Sequence, residues 1–353
     1  MNRPTDFGDR FLVVRVPRDG PGGGLSMRVS RRTLAACMSM LLLILLFVVM
    51  SMTSGDYGIP LSDVARALTG QGDETLKMIV LEWRLPRALL AVLLGAALGI
   101  SGAIFQSLTR NPLGSPDIIG FSTGAHTGAL VAMLAMSGGY YETATGALIG
   151  GMATAIAVYL LTYRQGVEGF RLIVVGIAIA AMLSAANVWM IRQAELQVAM
   201  SAAMWAAGSL NGLGWERLLP VGLALSLLVP SALALSRPLR QLELGDDAAT
   251  ASGVSPNHVR LLLAIVGVAL IALATAAAGP IAFIALAAPQ LARRSARTAG
   301  IALMPSALMG GLLLLAGDWA AQHALGFELP VGVMTFNIGG LYFIWLLTRE
   351  GRK

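Results

Sequence analysis

The sequence predicts an all-α, polytopic membrane protein of ten transmembrane helices, with both termini cytoplasmic. Three observations predict it. Of 353 residues, 56% are hydrophobic and only 12% are charged, about half the charged fraction of an ordinary soluble domain. Ten apolar stretches recur along the chain, most near the roughly 20 residues needed to cross the hydrocarbon core. The basic residues also fall unevenly between the loops: counted for ten crossings, 19 of the 25 lie on the side of the termini. Acidic residues divide almost evenly, so Lys and Arg alone carry the bias, as the positive-inside rule describes. The apolar runs are continuous rather than alternating, which argues against a β-barrel.

Taken in order, residues 1–33 are polar and Arg-rich and contain a Gly-Pro-Gly-Gly-Gly run, the composition of a flexible cytoplasmic tail. Met27, followed by Arg28, Arg31 and Arg32, offers a second start for translation, and the sequence leaves Met1 and Met27 both open. The ten-helix body follows over 34–348, with spans at 34–53, 86–106, 118–136, 142–163, 171–191, 216–236, 257–278, 281–297, 302–322 and 330–348, and a cytoplasmic end at 349–353. Two stretches are irregular. Segment 281–297 carries Pro289 within it, and segment 198–210 is short and runs into Gly208, Asn211, Gly212 and Gly214. The second is read as a half-helix that does not cross. Counting it as a crossing would place Arg293, Arg294, Arg297 and the C-terminal cations outside.

Composition also limits the chemistry. The single cysteine, Cys37, and three scattered histidines provide no metal cluster, so no metal site is expected. Of two lysines, Lys77 and Lys353, neither completes a phosphate-binding G-x-x-x-x-G-K pattern, and no hydrolase motif occurs. The chain is therefore expected to be no enzyme and to bind no cofactor of its own. The positive charge serves orientation and attracts anionic membrane lipid rather than nucleic acid. Span centres are nearly free of ionisable groups, whereas carriers driven by protons or sodium usually hold a carboxylate there. Glycines four apart, at Gly95/Gly99, Gly120/Gly124/Gly128 and Gly146/Gly150, predict close helix crossings.

Two cytoplasmic loops are more specific. In Asn111-Pro112-Leu113-Gly114-Ser115-Pro116-Asp117, Ser115 suits the N-cap of the next helix, with Pro116 at its first position. In the loop 238–257, Asp246 or Asp247 suits the N-cap of a two-turn helix, Gly253 its C′ position, and Pro256 a stop. That helix is lined by Ala248, Ala249 and Ala251, side chains small enough to lie in a groove of another protein.

Four stretches, 84–125, 242–254, 278–294 and 328–347, resemble in order the FecCD family, the permeases of ABC importers for iron–siderophores, haem and vitamin B12. The wording is nearest to its ferric-enterobactin members, the second subunit of the pair in particular. The resemblance implies the type II ABC importer permease architecture in a bacterial inner membrane. It implies a second FecCD-type permease subunit, forming a heterodimer, two ATPase subunits that use the ATP, and a periplasmic siderophore-binding protein. The cargo implied is a ferric siderophore, an enterobactin-like catecholate, with vitamin B12 or haem as alternatives. A stand-alone secondary transporter is the rival of another class. By the same resemblance, Leu242, Leu244, Gly245, Asp246, Asp247, Ala248, Ala251, Gly253 and Val254 form the ATPase coupling element, and Arg84 and Arg87 meet carboxylates of the binding protein. The sequence departs from the family at Gln322, where some relatives carry a third arginine, and at Gln290, commonly His. Gly208, Asn211, Gly212, Gly279, Pro280 and Pro289, in or beside the broken helices, are candidate path or gate residues together with Asn187 and Asn337.

Overall fold

The structure, a computed structural model, describes residues 11–16, 25–55, 57–136, 139–162, 169–298, 300, 302–324 and 327–350. Each of the ten predicted stretches coincides with a helix. In chain order these are α1 (Arg31–Thr53), α4 (Leu85–Thr109), α5 (Phe121–Ala135), α6 (Tyr140–Thr162), α7 (Gly169–Gln193), α9 (Trp215–Ala234), α12 (Pro256–Ala278), α13 (Ile284–Ala296), α14 (Leu303–His323) and α15 (Val331–Glu350). The stretch read as a half-helix is α8 (Leu196–Ala206), of 11 residues. Among the described residues, seven helices are long and apolar enough to cross a membrane: α1, α4 with its N-terminal extension, α6, α7, α9, α12 and α14. At 15 and 13 residues, α5 and α13 are shorter than a full crossing.

Several elements differ from the sequence expectation. The tail expected to be flexible contains an antiparallel hairpin, β1 (Phe11–Val16) with β2 (Leu25–Ser30), in which Phe11 faces Ser30 and Val16 faces Leu25. Its strands are the β-prone runs FLVVRV and LSMRVS, on either side of a Pro/Gly-rich sequence. Residues 1–10, 17–24 and 351–353 lie outside the described residues, as does the choice between Met1 and Met27. Ser30 caps α1, its Oγ accepting from Thr33 N at 3.1 Å. Between α1 and α4 lie two short helices, α2 (Leu61–Leu68) and α3 (Glu74–Lys77), then a π-helical stretch Met78–Arg84 that runs into α4. The wider turn ends at Leu85-Pro86, where Pro86 needs no N–H partner at the start of α4.

Helix α4 is the axis of the molecule. In its apolar 18-residue stretch 78% of residues are buried, against 17% in those of α1 and α7, and it packs against α14, α12, α13 and α9. Its glycines allow this. A Cβ on Gly95 would stand 2.3 Å from Gly310 O, and one on Gly99 2.1 Å from Ser306 O. Across the α5–α6 pair, Gly124 and Gly128 meet Gly146 and Gly150 in the same manner. The predicted small-xxx-small faces are thus helix crossings, with backbones in contact. Gly120 has a different role. At φ +91° it precedes α5 and packs against Gly176 and Ala180 of α7.

Ser115 does not cap α5. Residues 115–120 form successive turns, with Ile118 N and Ile119 N donating to Ser115 O, and the helix begins only at Phe121. Ser115 Oγ instead accepts from Asp117 N at 3.4 Å. The half-buried Asp117 carboxylate accepts from Ser122 Oγ at 2.6 Å, yet desolvation pushes its pKa up to about 6, above the ordinary 3.8. Because the folded state favours the protonated acid, the stability this group contributes is full below pH 4 and is lost as pH rises towards 6. The loss is about 3 kcal/mol. Melting of the detergent-solubilised protein at pH 4.5 and 7 should show this slope, and Asp117→Asn should flatten it. An identical slope in the variant would remove the assignment.

Candidate functional site

At one end of the bundle the loop between α9 and α12 folds into two short helices, α10 (Ser236–Glu243) and α11 (Asp246–Ala251). Gly245 separates them at φ +116°, a conformation that suits glycine. The end of α11 follows the predicted pattern. Gly253 N donates to Thr250 O and Val254 N to Ala249 O, with Gly253 at φ +80°, the paired bonds of a Schellman motif. Pro256 then opens α12.

The beginning differs from the prediction. Gly245, not an aspartate, occupies the N-cap, and no side chain caps the helix. Asp246 is used across the structure instead. Its Oδ1 accepts from Arg110 Nη2 at 3.0 Å and from Arg260 Nη2 at 2.5 Å. Arg110 is the left-handed C-cap of α4 and also donates to Leu242 O at 2.9 Å, while Arg260 lies in the first turns of α12. Ser107 Oγ, on α4, donates to Glu243 at 2.6 Å. Leu239, Leu242 and Ala249 are buried beneath, and Val254 is half-buried. Outward face Asp247, Ala248, Thr250, Ala251 and Gly253, with Leu244 78% exposed beside them. The result is a small-residue surface on a helix tied by its first residue to α4 and α12. Arg110, Arg260, Ser107 and Glu243 were not legible as site residues, because their partners lie 132–136 residues away or, for Arg260, in the preceding helix.

At the opposite end of α4 the two predicted arginines serve the protein's own packing. Arg84 donates to Met52 O and Tyr57 O, both at 2.7 Å, tying the α4 entry to the end of α1. Arg87 makes a bidentate pair with Asp318 of α14, both bonds at 2.9 Å, with side chains 18% and 3% exposed. In this conformation Arg87 is committed to a buried carboxylate and Arg84 to two backbone carbonyls. Gln322, at the family's third-arginine position, donates to the same carboxylate at 2.9 Å. Arg87→Met should cost about 3–5 kcal/mol, because it strands a buried charge. Arg87→Met with Asp318→Leu should recover most of that loss in a thermal melt.

The broken helices converge in part. Ser209 N donates to Ala278 O at 2.8 Å and Gly332 N to Gly208 O at 3.0 Å. A Cβ on Gly208 would meet Pro280 O, and one on Gly279 would meet Trp205 O, both at 2.3 Å. The ends of α8 and α12 and the start of α15 thus touch backbone to backbone around Gly208, Gly279 and Pro280. Gly332 is the member that sequence reading missed. Asn211 is nearby and donates to Glu328 at 3.3 Å, whereas Gly212 has open space about its α-carbon. The other candidates lie apart. Pro289 is buried within α13 beside Gln290, which donates to Pro112 O at 2.7 Å. Asn337 is exposed on α15 and bonds its own helix at Val333 O. Asn187 is buried in α7, its Oδ1 without a hydrogen-bond partner among the described residues. Among the described residues no three His, Cys, Asp or Glu are grouped to hold a metal.

Three comparisons with known proteins place the chain among relatives. The chain is 48% identical over 326 residues to the ferric enterobactin transport system permease protein FepG of Escherichia coli (strain K12), covering 92% of this chain and 99% of that one. It is 34% identical to the achromobactin transport system permease protein CbrC of Dickeya dadantii (strain 3937), covering 93% and 95%. A solved metal-chelate type ABC transporter in an inward-facing conformation superposes with a TM-score of 0.77 at 27% identity, covering 90% of this chain and 99% of the other. A family model, the FecCD transport family, matches residues 42–349. A multi-pass chain of apolar helices, a tethered small-residue helix at one end and this match over most of its length together make it a member of the FecCD transport family.

Proposed function

We propose that the chain is one permease subunit of an ATP-driven importer that moves a ferric siderophore, an enterobactin-like catecholate, from periplasm to cytoplasm. The observation that carries the reading is α11, whose exposed Ala248 and Ala251 suit insertion into a groove while Asp246 holds Arg110 and Arg260. A push on such a helix reaches the base of α4, the most buried helix, without passing through a flexible linker. Ten crossings with both termini cytoplasmic follow from the charge bias. The α11 end then faces the cytoplasm, where two ATPase subunits dock. A second FecCD-type permease completes the path as a heterodimer, and a periplasmic binding protein delivers cargo to the Arg84 end. The 48% relative, named for ferric enterobactin, supports the cargo. The site of action is the bacterial inner membrane, and ATP is consumed by the partner subunits.

Alternating access then amounts to rocking of α4 and its neighbours about the convergence of Gly208, Gly279 and Gly332, where contact of bare backbone leaves few side chains to repack. The test is growth on a purified ferric catecholate as sole iron source, with and without the gene. Growth should be lost on deletion and restored by the intact gene. Undiminished growth of the deletion strain would contradict the reading.

A further inference from the structure

Between α4, the start of α5, α6, α7 and α12, at the end of the bundle that carries α11, lies a crevice of about 310 Å³ with an almost wholly apolar lining. That volume is within the range of small-ligand pockets. Phe105 and Phe121, both buried, form part of its inner wall, while Ile156, Leu160 and Ile265 are among its exposed lining residues. Those three lie on helices with long apolar faces, so the opening looks onto acyl chains rather than water. Water has too few polar partners to stay in such a space.

One charged residue, Arg260, lines the crevice. It is placed one turn into α12, the depth at which a helix leaves the hydrocarbon, and its guanidinium is the one that Asp246 of α11 engages. Arg237 and Arg240 are exposed on α10, which packs against α12. An apolar slot with a cation at its headgroup end complements one ligand class, an amphiphile with hydrocarbon tail and anionic head.

We propose that the crevice is a binding site for an anionic phospholipid, one acyl chain in the slot and the phosphate at Arg260. The lipid headgroup and Asp246 then share one guanidinium, which connects bilayer composition to the tether of α11. The proposal rests on the α11 end lying in the cytoplasmic leaflet, and its readout, lipid retention, is independent of transport.

The experiment is native mass spectrometry of the full chain in detergent, titrated with phosphatidylglycerol or phosphatidylcholine. The native chain should retain phosphatidylglycerol about fivefold better, as one favourable basic contact provides. Arg260→Gln should abolish that preference. Ala264→Phe, from the lining, should reduce retention of both lipids about fivefold, and Ile156→Trp at the exposed side provides a second filling variant. Inorganic phosphate at equal concentration should leave the lipid bound. Equal retention of the two lipids by the native chain, retention unchanged in both filling variants, or displacement by inorganic phosphate would each overturn the proposal.

Discussion

Replacing Asp246 by lysine is expected to reduce ATP-dependent uptake about tenfold or more while leaving the amount of folded protein unchanged. The carboxylate receives two guanidinium groups, and a lysine there would put a third cation among them. Loss of charge-assisted bonds costs about 1.5–3 kcal/mol each when they are buried. Here the carboxylate is 46% exposed, so solvent screening reduces the stability effect to about 1 kcal/mol or less. The larger consequence is geometric, because α11 loses its tether to α4 and α12 and can move without moving them. Asp247→Lys provides the contrast. That side chain is exposed on the outer face, and its reversal should disturb the tether far less. ATPase stimulation and uptake measured together on both variants check this. Equal effects at 246 and 247 would mean that surface charge, not the tether, is what matters.

Gly99→Leu should remove the folded protein altogether. A Cβ at this position stands 2.1 Å from Ser306 O and 3.3 Å from Gly310 Cα, so α14 would have to move bodily away from α4. Overpacking that side chains can absorb costs about 1–3 kcal/mol. Here the obstruction is backbone, and the expected cost is higher. Gly222→Leu is the control: on α9 its Cβ would meet nothing within 4 Å, so expression and melting should match the native chain. Size-exclusion profiles of the two variants read the difference directly, and a monodisperse Gly99→Leu protein would contradict the crossing.

How far the sequence foretold these features follows from the range of the forces behind them. Long apolar runs are local, and each of the ten stretches became a helix. Gly253 and Pro256 act within a few residues, and the Schellman end of α11 was legible from them. Gly95 and Gly99 advertised a crossing without naming the partner, since spacing is local but the choice of α14 is not. What was illegible depends on distant chain. Asp246 reads as an N-cap until Arg110 and Arg260 arrive to claim it. The pairing of Arg87 with Asp318, 231 residues away, leaves no local sequence signal. Ser115 failed as a cap for a nearer reason: the chain spends residues 115–120 in turns before α5 begins. The π-helical stretch before α4 and the N-terminal hairpin escaped because continuous apolarity and a Gly-rich tail hide a change of helical width and a short strand pairing.

The most direct test of the account is concentrative uptake in proteoliposomes that contain this chain, its partner permease, the ATPase subunits and the binding protein. Ferric catecholate should accumulate against its gradient only with hydrolysable ATP on the α11 side, and not at all with a hydrolysis-dead ATPase. Uphill accumulation by this chain alone, without nucleotide or ATPase, would contradict the claim that its motion is driven from outside through α11.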